Sequence, residues 1–475
     1  MAPLEPPSNT PPGRPGPRLA LHSALLGLYF LIYHKAVTLS RVRLGAVPDE
    51  STPLYGGRRQ YTGLAERLAA LAWAMVPVAL FVGMAWMIRR LLLSPRHRPI
   101  LAISVLLAGV AGVNLTVGLA GRGGWPELCH AIDAPATHYY GDIDRVGDVA
   151  SFLRDFPLTL PSLSLHSSTH PPGGAIFYHV LGDLAGRNHA AIYVAVLLFT
   201  ALSVIGLYLV AWDLLGPRGA VIAGALYLVT PNLVLVAPSP DGVFAVFSVW
   251  AICCFHFALR RHWAWALPAG ALLAMGMLMT YATTVTGLLL AVYALLDWIA
   301  CRQTRFALLS LGACGLTFLL SLAMLWVATG FNIIDGLKAA MEKDARQMLK
   351  EGQTVLMWFN ISVGNLFAFL IAVGLANVVL WWRDLVRMLR QGWRSCPGAP
   401  LVLAFTATLL LISFAKLFTL EVERIWVFLS PLVVLAAASS VRAHAQGQSP
   451  FAATMVAAGL LLAQTLLMKL FLNVG

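Results

Sequence analysis

Apolar residues in this chain persist for some twenty positions at a time, and the interruptions between them are short clusters of Arg, Pro, Gly and Ser. A continuous run of that length is what a helix needs to cross roughly 30 Å of hydrocarbon at about 1.5 Å per residue. A barrel in lipid would instead alternate apolar and polar positions over about ten residues. Helices satisfy their own backbone polar groups inside a bilayer, so the pattern predicts an all-α, polytopic membrane protein. About thirteen spans are expected, over 19–38, 64–88, 99–120, 188–213, 219–237, 242–259, 263–281, 283–300, 306–329, 360–382, 399–418, 425–441 and 450–472. Around Tyr281, the residues Thr280, Thr283 and Thr284 fit either a tight turn between two spans or a polar patch within one bent helix.

Composition agrees with that pattern. The 475 residues are 59% hydrophobic and only 11% charged, against roughly a quarter charged in a soluble domain. The formal net charge of +12 does not indicate a nucleic-acid partner, because the basic residues sit in clusters between apolar runs, where membrane topology places them. Arg89, Arg90, Arg96 and Arg98 mark one such loop, Arg260 and Arg261 a second, Arg302 and Arg305 a third, and Arg383, Arg387, Arg390 and Arg394 a fourth. With thirteen spans and a cytoplasmic N-terminus all four fall on the cytoplasmic side of a plasma (inner) membrane, whereas Arg41, Arg43, Arg58 and Arg59 fall on the other. Residues 1–18 read as a Pro-rich, disordered cytoplasmic tail, and 19–475 as a single transmembrane domain. Of six cysteines, Cys253, Cys254 and Cys314 lie in apolar runs and the rest are scattered, so neither a disulfide framework nor zinc spacing emerges.

This topology puts the two long polar loops, 121–187 and 330–358, on one extracytoplasmic face with the short loops that carry Asp241, Tyr281 and Glu421 to Arg424. In the first loop Ile143, Val146, Val149, Ala150, Leu153 and Phe156 recur at helical spacing, predicting one amphipathic surface helix from Asp144 to Phe156. Asp144, Asp148 and Asp155 then share its wet face, where they are either a solvated acidic surface or partly functional. Asp142 precedes that helix and fits a helix cap or a general base, with Asp144 as a like-charged neighbour. His166 and His170 flank Ser167-Ser168-Thr169 before Pro171-Pro172-Gly173-Gly174, a turn that ends one helix and brings backbone close to its neighbours. In the second loop Ile333, Ile334, Leu337, Met341, Ala345 and Met348 form the apolar stripe of another interfacial helix, with Lys338, Glu342, Lys343 and Arg346 on its polar side. Glu421, Glu423 and Arg424 stand at the mouth of a span, where ionisable groups need partners.

An acidic pair in a large outer loop, then a surface helix, then a basic residue before Pro-Pro at the entry to a span resembles the GT-C class of membrane glycosyltransferases. In the protein mannosyltransferase and lipid A aminoarabinose transferase relatives this stretch reads Asp-Glu, a surface helix, then Lys-Pro-Pro. The present chain offers Asp142-Ile143-Asp144 and His170-Pro171-Pro172, and the resemblance covers 139–260, with Pro240-Asp241 at the outer end of a span. It departs from the family in placing the acidic loop after the third expected span rather than the first, in displacing the second carboxylate by one position, and in replacing lysine with histidine.

The resemblance implies sugar transfer, with inversion, from a polyprenyl-phosphate donor to a glycan, lipid or protein acceptor on the outer face. Asp142 or Asp144 would then be the catalytic base. His170, Arg424, Lys338 and Lys343 would bind the lipid phosphate, and His166, Asp241, Tyr281 and Glu423 complete the expected substrate-binding set. A divalent cation, Mg or Mn, is compatible with Asp142, Asp144 and His170, and relatives with and without a metal leave the cofactor open. A nucleotide-sugar donor has no Gly-rich phosphate loop to hold it in this sequence. The alternative class is a transporter or flippase of amphipathic substrates, which calls for mid-span charges and related halves. Lys416 is the nearest approach to such a charge, and no internal repeat is evident.

Overall fold

The computed structural model describes residues 18–29, 63–94, 96–120, 124–125, 128, 132, 135–236, 239–301, 304–347, 355–396, 398–415, 422–444 and 449–471. All regular structure among these residues is helical. The order begins with a helical stretch over 18–29, then α1 (Leu64–Leu93) and α2 (Pro99–Leu119). The first loop contributes α3 (Ile143–Val146), α4 (Val149–Arg154), α5 (Leu165–Thr169) and α6 (Gly173–Leu184). There follow α7 (His189–Ala201), α8 (Ser203–Tyr227), α9 (Pro240–Arg260), α10 (Ala266–Met279), α11 (Thr283–Cys301) and α12 (Thr304–Thr329). The second loop carries α13 (Ile333–Gln347), and the chain ends with α14 (Val355–Ala372), α15 (Leu375–Gln391), α16 (Ala399–Phe414), α17 (Ser430–His444) and α18 (Pro450–Phe471).

Among the described residues, eight helices are long and apolar enough to cross a membrane, or nine if one bent pair counts as a span. The difference from thirteen has identifiable sources. The 19–38 span is described only to residue 29, and the helices over 263–279 and 399–414 are apolar but short. The stretch His189–Tyr227 passes as a single helix, yet Gly216 adopts φ 71° and ψ 178°, which only glycine takes without strain. Neighbours along α2 show that the chain turns back there. Before the glycine, Tyr193 lies against Gly118, at the far end of α2, and Tyr208 hydrogen-bonds His97 just before its start, at 2.6 Å. After it, Gly224 packs on Leu106 and Leu228 on Gly109, so the direction has reversed.

The expected straight span over 360–382 is corrected: α14 and α15 meet at 106°, with Gly374 at φ 96° in the break. A break inside hydrocarbon frees backbone groups that water cannot reach, and it survives only where protein atoms meet them. Here the Gln464 side chain on α18 does so. Its Nε2 donates to the Ile371 carbonyl at 2.7 Å and its Oε1 accepts from the Leu375 N–H at 2.9 Å.

Two ends of the bundle differ in chemistry. One, the basic face, holds the α1–α2 connection, Gly216 and the ends of α9, α11, α15 and α17. There Asp213 on α8, His256, Arg260 and Arg261 at the end of α9, and Tyr293 and Asp297 on α11 form a network that runs from the exposed Arg261 to the buried His256 and Tyr293. His256 Nε2 lies 3.0 Å from Asp213, its Nδ1 lies 2.8 Å from the Tyr293 hydroxyl, and Arg260 meets Asp297 at 2.8 Å. Each carboxylate near the apolar interior thus has a cationic or imidazole partner, which is the condition for burying it. Parallel packing of α9 and α11 sets the register, since Ser248 also meets Thr286 at 3.0 Å.

The other end, the loop face, holds α3 to α6, the start of α9, the α10–α11 turn, α13 and the start of α17. The two polar loops dock on each other through one apolar cluster that includes Val146, Phe152, Leu153, Phe156, Leu160 and Phe331. The single surface helix expected over Asp144 to Phe156 is corrected to two short helices. Gly147 at φ 52° ends α3, and the Asp148 carboxylate accepts the Ser151 N–H at 2.8 Å to start α4. That hydrogen bond lowers the Asp148 pKa below its ordinary value. The apolar stripe itself is real, with Ile143, Val146, Leu153 and Phe156 buried. On α13 Ile333 packs into the loop cluster, while Ile334 and Met341 are exposed as an interfacial helix requires. The 1–17 tail, Arg41, Arg43, Arg58, Arg59, Cys129 and Lys416 lie outside the described residues.

Replacing Gln464 with Leu should orphan the Leu375 N–H in the interior and destabilise the protein by about 1–3 kcal/mol. Thermal unfolding of the purified protein in lipid nanodiscs checks this, and an unchanged midpoint would show that the bridge is dispensable.

Candidate functional site

Asp142 is the hub of the first loop. It ends the 3-10 turn Pro135–Asp142 and occupies the capping position of α3, but its side chain makes no cap. Instead the carboxylate, 1% exposed, pairs with Arg145 one turn on and accepts two hydrogen bonds from Ser164, from the N–H at 3.0 Å and the hydroxyl at 2.5 Å. Ser164 stands at the head of α5, so Asp142 ties the acidic stretch to the histidine helix twenty-two residues later. Three of its approximately four lone-pair sites are taken. Asp144, by contrast, is 71% exposed and turns outward to Arg187 at 2.7 Å. Spacing had grouped the two aspartates; folding separates them into a held carboxylate and a rim carboxylate.

His166 and His170 lie on α5 and at its end, their ring centroids 6.2 Å apart, and Tyr139 sits against both at 6.4 and 5.9 Å. His170 Nδ1 lies 3.0 Å from the His166 carbonyl oxygen, which turns the opposite edge of the ring away from that turn. Pro171 and Pro172 stop α5, and α6 starts with two glycines because nothing larger fits: a Cβ on Gly173 would stand 2.4 Å from the Leu278 carbonyl oxygen. On the far side of Tyr139, Phe244 makes an edge contact at 6.1 Å, carrying the cluster onto the first turn of α9.

That turn bears Asp241. Its carboxylate meets the Arg424 guanidinium at 2.8 Å and accepts from the Ser239 hydroxyl at 3.2 Å. Two residues 183 positions apart in sequence therefore form a largely buried ion pair at the loop face, as expected of charges at that depth. Tyr178 on α6 is fully buried beside them. Burial, with the Asp241 charge nearby, pushes its phenol well above the ordinary tyrosine range and keeps it protonated.

The remaining expected residues divide. Tyr281 occupies a turn between α10 and α11, and its buried hydroxyl lies against Gly336 of α13 with no hydrogen-bond partner among the described residues. Burial raises its pKa. Lys343 reaches back to the first loop, its ammonium 3.5 Å from the Leu160 carbonyl oxygen. Lys338 stays on the exposed side of α13, 4.0 Å from Asp335. The Glu423 side chain, and Glu421, lie outside the described residues.

Reading the sequence alone missed Arg145, Ser164, Arg187 and Tyr178. Arg145 has a local signal, three residues after Asp142 on a helical turn. Ser164 and Arg187 have none, since their roles come from long-range docking, and Tyr178 was hidden inside an apolar stretch. Among the described residues no group of three or more His, Cys, Asp or Glu side chains is gathered to hold a metal. Asp142, Asp144 and His170 point respectively to Arg145 with Ser164, to Arg187, and to the His166 backbone, so they do not form a ligand set as arranged.

Residues 169–326, about a third of the chain, match the family model described as dolichyl-phosphate-mannose-protein mannosyltransferase. The match starts immediately before His170-Pro171-Pro172 and includes Asp241 and Tyr281. It leaves Asp142, Asp144, Lys338, Lys343, Glu423 and Arg424 outside, so it is displaced C-terminally from the 139–260 resemblance. Among solved structures, the chain is similar to a crystal structure of ArnT from Cupriavidus metallidurans in the apo state, with TM-score 0.41 and 15% identity over 67% of this chain and 59% of that one. It is also similar to the Archaeoglobus fulgidus oligosaccharyltransferase in complex with zinc and sulfate, with TM-score 0.40 and 14% identity over 71% of this chain and 48% of that one. The chain thus spans roughly half to three-fifths of those two structures. No curated protein matches its sequence. The family match supports the resemblance to the GT-C class of membrane glycosyltransferases.

Arg424→Met should leave Asp241 buried and unpaired, at a cost of about 3–5 kcal/mol, while Asp241→Asn with Arg424→Gln should recover most of that loss. Unfolding midpoints of the three proteins decide between a specific pair and two independent surface charges, for which the single and double variants would match.

Proposed function

We propose that this protein is an inverting membrane glycosyltransferase that moves a sugar from a polyprenyl-phosphate carrier to an acceptor hydroxyl at the extracytoplasmic side of a plasma (inner) membrane. The observation that carries the reading is the convergence at one face of Asp142, the His166–His170 pair and the Asp241–Arg424 pair around Tyr139 and Phe244. The mannosyltransferase-family match, which begins at the same His-Pro-Pro turn, supports it. With basic clusters at the opposite face, the positive-inside rule places the loop face outside and the N-terminus in the cytoplasm.

In this reading Asp142 is the base. Arg145 and Ser164 hold it in one orientation, and its remaining lone pair takes the proton from an acceptor hydroxyl as that oxygen attacks the anomeric carbon. The bond from that carbon to the carrier phosphate breaks on the opposite side, which inverts the centre. The departing phosphate gathers negative charge, and His170 and His166, when protonated, are placed to meet it. Lys343 and Lys338 on α13 flank the route by which a headgroup approaches from the membrane surface. Arg424, already neutralised by Asp241, acts chiefly by fixing the start of α9, and Asp144 with Arg187 forms the rim. Tyr281 and Glu423 remain in the proposed acceptor- and donor-binding set. Among the described residues no three His, Cys, Asp or Glu side chains gather to hold a metal, and the step above uses only the side chains named.

Purified protein in lipid, given a panel of polyprenyl-phosphate sugars, tests this. Asp142→Asn should lower turnover by roughly a hundredfold to ten-thousandfold, the usual loss for a positioned base, with donor binding retained. Asp144→Asn should cost far less. Equal losses in both would move the base assignment to the pair, and a wild type that releases no sugar but moves the lipid across the bilayer would replace the reading with a flippase.

A further inference from the structure

The connection between α1 and α2 lies at the basic face, outside the family match and some 30 Å from the loop face by the length of α2. It folds Arg89, Arg90, Arg96 and Arg98 around one cavity of about 770 Å³ whose wall also includes Trp86 and Leu101. Among the described residues no Asp or Glu lines this cavity, and none of the four guanidinium groups meets a carboxylate. Three arginines elsewhere on this face are compensated, Arg260 by Asp297, Arg261 by Asp213 and Arg387 by Asp384. The four are also partly fixed in place, since Arg90 stacks 4.0 Å over Trp86 and Arg89 lies 6.0 Å from the Phe451 ring.

We propose that this cavity binds the phosphate headgroup of an anionic membrane lipid. Four uncompensated guanidinium groups around a common space call for a multivalent oxyanion, and guanidinium geometry suits phosphate oxygens in pairs. The surroundings choose the lipid over a soluble phosphate. Trp86, Leu93, Ile100 and Leu101 around the rim are exposed to 53%, 60%, 80% and 42%, a surface on which acyl chains can lie while the headgroup enters the basic cavity. Topogenic arginines need only be solvated near a span end; these instead converge on one space.

The test uses the full chain purified in detergent and re-embedded in nanodiscs of phosphatidylcholine with or without phosphatidylglycerol, with co-purifying and retained lipid read by native mass spectrometry. Wild type should retain phosphatidylglycerol over phosphatidylcholine. Arg96→Gln with Arg98→Gln should weaken that retention roughly tenfold or more, as expected for two lost charges near a membrane surface. Arg218→Gln, an exposed arginine of the same face outside the cavity, should leave it unchanged. Equal weakening by both variants would reduce the effect to general surface charge and overturn the proposal, as would competition by inorganic phosphate at the lipid's own concentration. Should the double variant fail to insert, a photoreactive phosphatidylglycerol on wild type decides: crosslinks concentrated in residues 86–101 support the site, and crosslinks spread over all the basic connections overturn it.

Discussion

Hydrocarbon offers no hydrogen bonds and no counter-charge, and nearly every polar feature of this protein can be traced to that constraint. Helices dominate because they satisfy their own backbones. Where the helical pattern fails, at the α14–α15 break, a glutamine from another helix supplies the missing donor and acceptor. Where carboxylates approach the interior, they arrive with partners from different helices: Asp213 with His256 and Arg261, Asp297 with Arg260, Asp241 with Arg424. Such pairs are costly to bury and more costly to break, so each also fixes the register of the helices it joins. What remains polar is sorted to two ends, and the ends are chemically unlike.

Much of this was legible in the sequence because the bilayer writes long, uniform signals. The all-α class, the apolar spans, the basic clusters at one end and the gathering of both polar loops at the other follow from run length and charge placement alone. The expected spans 188–213 and 219–237 are separate although apolarity and length alone would join them, and the structure shows the cause in Gly216 at φ 71° ahead of Pro217. Shorter-range features were harder to read. Helical spacing from Ile143 to Phe156 is correct on the buried side, yet periodicity cannot see that Gly147 takes a positive φ and that Asp148 starts a second helix. Nor could spacing distinguish Asp142 from Asp144, because what separates them is Ser164 and Arg187, brought in from 22 and 43 residues further along. Sequence patterns report local geometry; the roles of the two carboxylates are set by docking.

The docking has a mechanical meaning. The first loop is anchored from three sides: Asp142 binds it to the head of α5, His179 on α6 lies 3.0 Å from the Ile143 carbonyl oxygen, and the cluster around Phe156 and Phe331 joins it to α13. A loop so tied can hold a carboxylate in one orientation at the membrane surface, where a reacting group on a flexible loop would spend most of its time misplaced. α13 completes the arrangement from the lipid side. Ile334 and Met341 face outward toward the membrane, while Lys343 reaches inward to the Leu160 backbone.

The two ends also differ in how their charge is settled. At the loop face Asp142, Asp144 and Asp241 are each paired with an arginine of the chain itself, Arg145, Arg187 and Arg424, so their orientation is fixed by the fold. At the basic face the α1–α2 connection holds four arginines that meet no carboxylate among the described residues. A compensated site suits turnover, since a substrate held by strong uncompensated charge would leave slowly as product. An uncompensated one suits a resident anion. The need for partners that organises the interior is thus met within the chain at the loop face and left open among the described residues of the α1–α2 connection, and the 21-residue α2 spans the distance between the two.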